Sequence, residues 1–332
     1  MFDKSKPMTL GDIFNTTFNL IKATFTRNVV IVAAFLIPVG IFAAYGFQMF
    51  FSTISDITKS AKDYESGSVN PSQIARLVVG FGSYFFAVTF FYLGNLAATI
   101  GVTKVSYSEM LGEKITLGDS FKKIFSLIYL RSIGQNIMLI LACCAVFMCA
   151  VFVMAVAKMM NNGFLNFFGV LAVIAAVVII IYLVFRWYFA FIAIVGPEKK
   201  VFESFINSSY LVKDYWWRTF GIVLLISIIV QFAESVISTP ISFLFMWDFI
   251  SQYFKMMAGG SGIEKDPALV FEMMKSFGFA IGFVIVLGTM LQTMLSPLFN
   301  VVMYFDLRIR KNDFEEITNQ DDNIVVEHDP VE

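Results

Sequence analysis

The sequence predicts an all-α integral membrane protein: six transmembrane helices in three repeated hairpins, each preceded by a cytoplasmic amphipathic helix lying at the membrane interface. Three observations predict it. Hydrophobic residues make up 58% of the 332 and charged residues only 15%, with 39 Phe among them. A soluble domain is about 45–50% apolar and about 25% charged, and so few charges cannot cover so much apolar surface in water. Six stretches approach or exceed the roughly 20 apolar residues needed to cross about 30 Å of hydrocarbon. A short capped motif also recurs ahead of the hairpins.

The six stretches are 29–51, 77–102, 132–157, 164–195, 219–247 and 277–303. Backbone amides have no water partner in hydrocarbon, so each stretch is expected to be helical. The first is too long for a signal-peptide core, follows 28 residues and lacks a cleavage site, so it reads as an uncleaved anchor. Lys and Arg divide 16 to 7 between alternate loops, Arg186 apart. That bias places both termini in the cytoplasm. Residues 1–311 then form a single membrane domain, with repeat units of about 8–102, 115–195 and 201–303. Residues 312–332, rich in acids, are expected to be a disordered tail.

The recurring motif is Thr9-Leu10-Gly11-Asp12-Ile13-Phe14, seen again as Thr116-Leu117-Gly118-Asp119-Ser120-Phe121. Both fit the Ser/Thr-x-x-Asp/Glu box that caps a helix start. Apolar residues follow at helical spacing: Leu10, Ile13, Phe14, Phe18, Ile21 and Phe25, then Leu117, Phe121, Ile124, Phe125 and Ile128. A weaker third copy holds Phe202, Phe205, Val212 and Trp216. Aligning Phe14, Phe121 and Phe205 brings Leu20, Leu127 and Leu211 into register, and Arg27 with Arg218. Such helices either pack as collars on the hairpins or lie in the headgroup layer, where cations bind anionic lipid. The candidate lipid contacts are Lys22, Arg27, Lys122, Lys123, Arg218, Arg308 and Arg310.

Leu111-Gly112-Glu113-Lys114-Ile115-Thr116-Leu117-Gly118-Asp119-Ser120-Phe121 resembles a cytoplasmic loop of the glycerophosphoryl diester phosphodiesterase membrane-domain family and related bacterial membrane proteins. So do Leu10-Gly11-Asp12-Ile13-Phe14, the run from Gly196-Pro197 through Glu203-Ser204-Phe205 to Trp217-Arg218-Thr219-Phe220-Gly221, and Tyr304-Phe305-Asp306-Leu307-Arg308-Ile309-Arg310-Lys311. The resemblance implies a multi-pass protein of the bacterial cytoplasmic membrane. In some members such a region precedes a catalytic barrel. Here 29 residues remain from Tyr304, against about 250 for a barrel, so no phosphodiesterase activity carries over.

Ionisable residues inside spans are functional candidates. Arg186, roughly 15 Å from the cytoplasmic end of span four, and Glu234, roughly 22 Å into span five, are two such residues. They read either as a buried ion pair, with snorkelling an alternative for Arg186, or as a relay or headgroup site. Polar faces run along span five (Gln231, Ser235, Ser238) and span six (Thr289, Gln292, Thr293, Ser296, Asn300), with Asn95 in span two. They line a small hydrated path or act as hydrogen-bonding glue. Gly278-x-x-x-Gly282 has the spacing of a close helix contact. Gly259-Gly260-Ser261-Gly262 reads as a turn, with Asp266 and Pro267 starting the helix that follows.

No nucleophile–base set, metal cluster or phosphate cradle is present, and the single histidine, His328, lies in the tail. Cys143, Cys144 and Cys149 share one apolar run without metal or disulfide spacing. The net charge of −1 argues against a nucleic-acid partner. The expected function is therefore non-catalytic and without cofactor: lipid-headgroup binding, membrane organisation or support of a protein partner, including another copy of the chain. The alternative is a small transporter or channel whose path uses spans four to six.

Overall fold

A computed structural model describes residues 6–62, 71–160, 162–258 and 267–313. Among these every regular element is helical. In chain order they are α1 (Leu10–Lys62), α2 (Pro71–Leu111), α3 (Leu117–Ile124), α4 (Leu127–Met159), α5 (Gly163–Arg186), α6 (Ala190–Val195), α7 (Val201–Val212), α8 (Trp216–Ala258) and α9 (Pro267–Arg310). Six helical segments are long and apolar enough to cross a membrane. Pro267 stands at the first position of α9, where a missing N–H is harmless. The glycine-rich turn, Asp266 and the tail beyond 313 lie outside the described residues.

Two boundaries differ from the sequence reading. The first motif does not open a separate helix: α1 runs unbroken for 53 residues from Leu10. The other two do, as α3 and α7. The apolar run expected as span four is also broken. α5 ends at Arg186, and its 24 residues already measure roughly 36 Å at 1.5 Å each. The remaining piece, α6, is folded into protein. Ser208 of α7 joins the break: it accepts from the Phe189 N–H at 3.1 Å and donates to the Arg186 carbonyl at 3.0 Å.

The chain groups into two compact units, one holding residues 6–25, 103–227 and 297–313, the other 26–102 and 228–296. In the first, three stretches are buried without interruption: 103–110, 192–196 and 301–309. Helix starts pack there through small and hydroxyl side chains. Ile13, Thr17, Leu20 and Thr24 of α1 are buried, as are Ser120 and Ile124 of α3 and Ser204, Ser208 and Leu211 of α7. Thr17 and Thr24 donate to carbonyls four residues back, so the faces are polar in composition yet satisfied. The expected apolar stripes split as a result. Leu10, Phe18, Phe25, Phe125 and Phe202 stay exposed, because the small-residue side of each helix permits the closer approach.

The second unit is built around α1. A methyl added at Gly282 of α9 would lie 2.6 Å from the Ala44 Cα, and one at Gly278 would lie 2.8 Å from the Gln48 Cα. Both glycines of the predicted spacing therefore let two backbones touch. Gly94 of α2 instead makes room for the Val39 side chain of α1.

Candidate functional site

The chemistry of the first unit is concentrated in charged residues that sit where the chain is most buried. Asp306, 1% exposed, accepts from both sides: Arg310 Nε at 3.1 and 3.0 Å, Arg218 Nη2 at 3.2 Å and the Met8 N–H at 2.8 Å. The two guanidiniums also donate to the Met8 carbonyl, at 2.9 and 2.7 Å. One carboxylate thus ties α8, α9 and the backbone ahead of α1 together. A buried charge without such partners would be prohibitive. Lys311 extends the cluster, pairing with Asp214 and lying 4.8 Å from the Tyr210 ring centre. Its ammonium holds the exposed Asp214 carboxyl below the usual range.

A second clasp centres on Glu198, in the turn between α6 and α7. Its carboxylate accepts from Lys104 Nζ at 3.0 Å and Lys123 Nζ at 2.7 Å. Lys104 also donates to the Gly196 carbonyl at 2.9 Å, and Arg131 to the Glu198 carbonyl at 2.7 Å. Partial burial pushes the Glu198 carboxyl up, but the two lysines outweigh it and hold the group below its ordinary value. Glu198 adopts φ of 58°, left-handed backbone that a non-glycine residue keeps only when its surroundings fix it.

These clasps use several cations expected at the lipid surface. Arg308, 2% exposed, reaches the Asp313 carboxylate at 3.3 Å and its carbonyl at 2.9 Å, and lies 5.9 Å from the centre of the Tyr304 ring. With Arg218, Arg310 and Lys123 it serves internal acids. Lys22 and Lys122 are exposed and Arg27 is half-buried. Sequence reading did not single out Asp306, Glu198 or Lys104, which lie just past span ends and resemble ordinary solvated loop charges. The unbroken run of 301–305 into Asp306 was the available signal.

Arg186 and Glu234 each find partners within their own unit. Arg186 donates to the Tyr182 hydroxyl at 3.0 Å and lies 5.8 Å from that ring's centre. It also lines a cavity of about 550 Å3 with Met138, Leu183, Phe202, Ile206 and Ser209. Trp187 Nε1 donates to Ser209 at 3.1 Å on the same wall. A neighbouring cavity of about 620 Å3 carries Lys213, Asp214 and Arg218, the last two already paired. Glu234, half-buried, receives Gln231 Nε2 at 3.4 Å and lies against Gly288 of α9.

The polar faces of α8 and α9 bond mostly along their own helices. Ser235 donates to the Gln231 carbonyl, Ser242 to that of Ser238 and Thr289 to that of Ile285. Thr293 instead crosses to the Asn95 side-chain oxygen at 2.7 Å, a glue contact between α9 and α2. Asn300 accepts from the Tyr188 hydroxyl at 3.0 Å in the first unit. Gln292 is exposed and Ser296 half-buried. Among the described residues no group of three or more His, Cys, Asp or Glu side chains could hold a metal. Compared with known proteins, the chain matches no family model, no curated protein and no solved structure.

Proposed function

We propose that this is a non-catalytic, multi-pass protein of the bacterial cytoplasmic membrane whose inner-leaflet collar holds phospholipid headgroups and organises lipid or supports a partner there. The collar is the set of helix starts and buried stretches of the first unit, with both termini on the cytoplasmic side. One observation carries the reading. Lys104, Arg218 and Arg310 of the collar turn inward onto Glu198 and Asp306, whereas Phe18, Phe25, Phe125, Phe202 and Ile206 face outward. A collar bathed in water would favour the opposite arrangement; one lying among headgroups and upper acyl chains favours this one.

The threefold repeat of hairpins belongs to the same proposal, and register supports it. Aligned on Phe14, Phe121 and Phe205, the positions Ile13, Ser120 and Ser204 are all buried. So are Thr17, Ile124 and Ser208, and the polar set Asn28, Gln135 and Thr219. The capping acids also correspond, Asp12 and Asp119 bonding to Thr9 and Thr116, and Glu203 accepting from the Lys200 N–H at 3.2 Å. Segments carrying the family resemblance supply Glu198, Arg218, Asp306 and Arg310.

Native mass spectrometry of protein extracted with its own lipids tests the proposal. Retained phospholipid is the expected result, and delipidated protein with full stability would count against it. Proteoliposomes are expected to leak no faster than empty vesicles. A solute or ion flux that Glu234→Gln abolishes in folded protein would replace this reading with a small transporter or channel.

A further inference from the structure

We propose that the cavity bounded by α4, α5 and α7 is a phospholipid site, with the Arg186 guanidinium on the lipid phosphate and an acyl chain along the apolar wall. The inference rests on the lipid-holding reading above and gives it one definite location. At about 550 Å3 the cavity lies within the range of about 300–1,000 Å3 typical of small-ligand sites. Its wall is apolar along Met138, Ala142, Leu183, Phe205 and Ile206, and Arg186 supplies the cation.

Arg186 differs from Arg218, Arg308 and Arg310 in what answers its charge; Arg131, which also pairs with no acid among the described residues, donates to the Glu198 carbonyl. Arg218 and Arg310 share Asp306, and Arg308 has Asp313. Arg186 has a phenol and the face of the same ring, and among the described residues no carboxylate pairs with it. A guanidinium carries five N–H donors, and one of Arg186's is used on Tyr182. The remaining donors form the planar fork that a phosphate accepts two at a time. A half-buried cation beside apolar walls is costly until an anion joins it. Free phosphate would supply the charge but leave the wall empty. A phospholipid supplies both, and the exposed Phe202 and Ile206 side chains leave the cavity open on the side where its tail would pass. Trp187 follows Arg186 in sequence, an aromatic suited to headgroup depth.

The test titrates full-length protein in detergent with phosphatidylglycerol, with phosphatidylcholine and with inorganic phosphate, counting bound lipid by native mass spectrometry. Wild type is expected to keep one phospholipid that Arg186→Met binds roughly tenfold more weakly, the loss of a charge-assisted contact. Arg186→Lys should fall between the two, while Lys158→Gln, in the last turn of α4, should leave that lipid unchanged. Ala142→Phe, which fills the cavity and keeps the cation, should lose the lipid as well, and guards against a fold defect in the arginine variants. Displacement of the lipid by millimolar phosphate would overturn the lipid assignment in favour of a bare anion site. Equal retention by wild type, Arg186→Met and Ala142→Phe would overturn the site while leaving a lipid-holding protein. Absence of any bound phospholipid in wild type would remove the broader reading too.

Discussion

The α4–α5 hairpin and the four helices of the second unit solve the same problem in opposite ways. The apolar windows of α4 and of the α5–α6 run have mean hydropathies of 3.0 and 3.1, yet only 6% and 11% of each is buried in protein. The window of α1 has a mean hydropathy of 2.4 and is 44% buried. In hydrocarbon, apolarity gives no advantage to helix association, because lipid tails are as apolar as leucine. Helices that touch each other need small residues and hydrogen bonds, as at Gly278, Gly282 and the Asn95–Thr293 pair. Helices that face lipid need only to be greasy. The two most apolar windows of this chain are therefore the least buried, while the other four, at mean hydropathies of 1.7–2.4, are 17–44% buried in protein.

Substitutions can break or sharpen that contrast, the largest effect first. Asp306→Ala should cost about 3–5 kcal/mol, because it strands two guanidiniums in a buried setting, and thermal unfolding in detergent reads it out. Gly282→Leu drives a side chain into the Ala44 backbone and should cost about 1–3 kcal/mol or more by the same assay. If Gly282→Leu proves silent, the α1–α9 contact does not hold the second unit together. Ile140→Ala on α4, an exposed position, should stay within about 0.5 kcal/mol. A large loss there would mean that protein, not lipid, covers the hairpin.

The acid limb of stability offers a finer probe. Glu198 has its folded pKa below the ordinary carboxylate value, so it binds protons more readily when unfolded. Its contribution is complete above about pH 4–5 and disappears as pH falls through the lowered folded value. Glu198→Gln should flatten this part of the profile, and melting curves across that pH window measure it. An unchanged acid limb would show that Lys104 and Lys123 do not depend on that carboxylate.

Much of the helical layout was legible because composition and helix caps act locally. The Thr116–Asp119 box starts α3 where its spacing says it should. Span four was legible as apolar but not as two pieces. A run buried in protein and a run facing lipid share one hydropathy signal, and only the hydroxyl of Ser208, 22 residues from Arg186, marks where one becomes the other. Arg186 stood out because a charge inside an apolar run is conspicuous. Asp306 and Glu198 did not, since burial of a charge at a span's edge depends on partners far along the chain.

The clasp at Met8 has a bearing on biogenesis. Met8 and Asp306 are 298 residues apart, so at about 5–20 residues per second the ribosome needs roughly 15–60 s between making one and making the other. During that interval the first hairpin must sit in the bilayer with its leading turn untethered. Closure awaits α9, which makes Asp306 and Arg310 a late latch rather than a nucleus from which assembly begins.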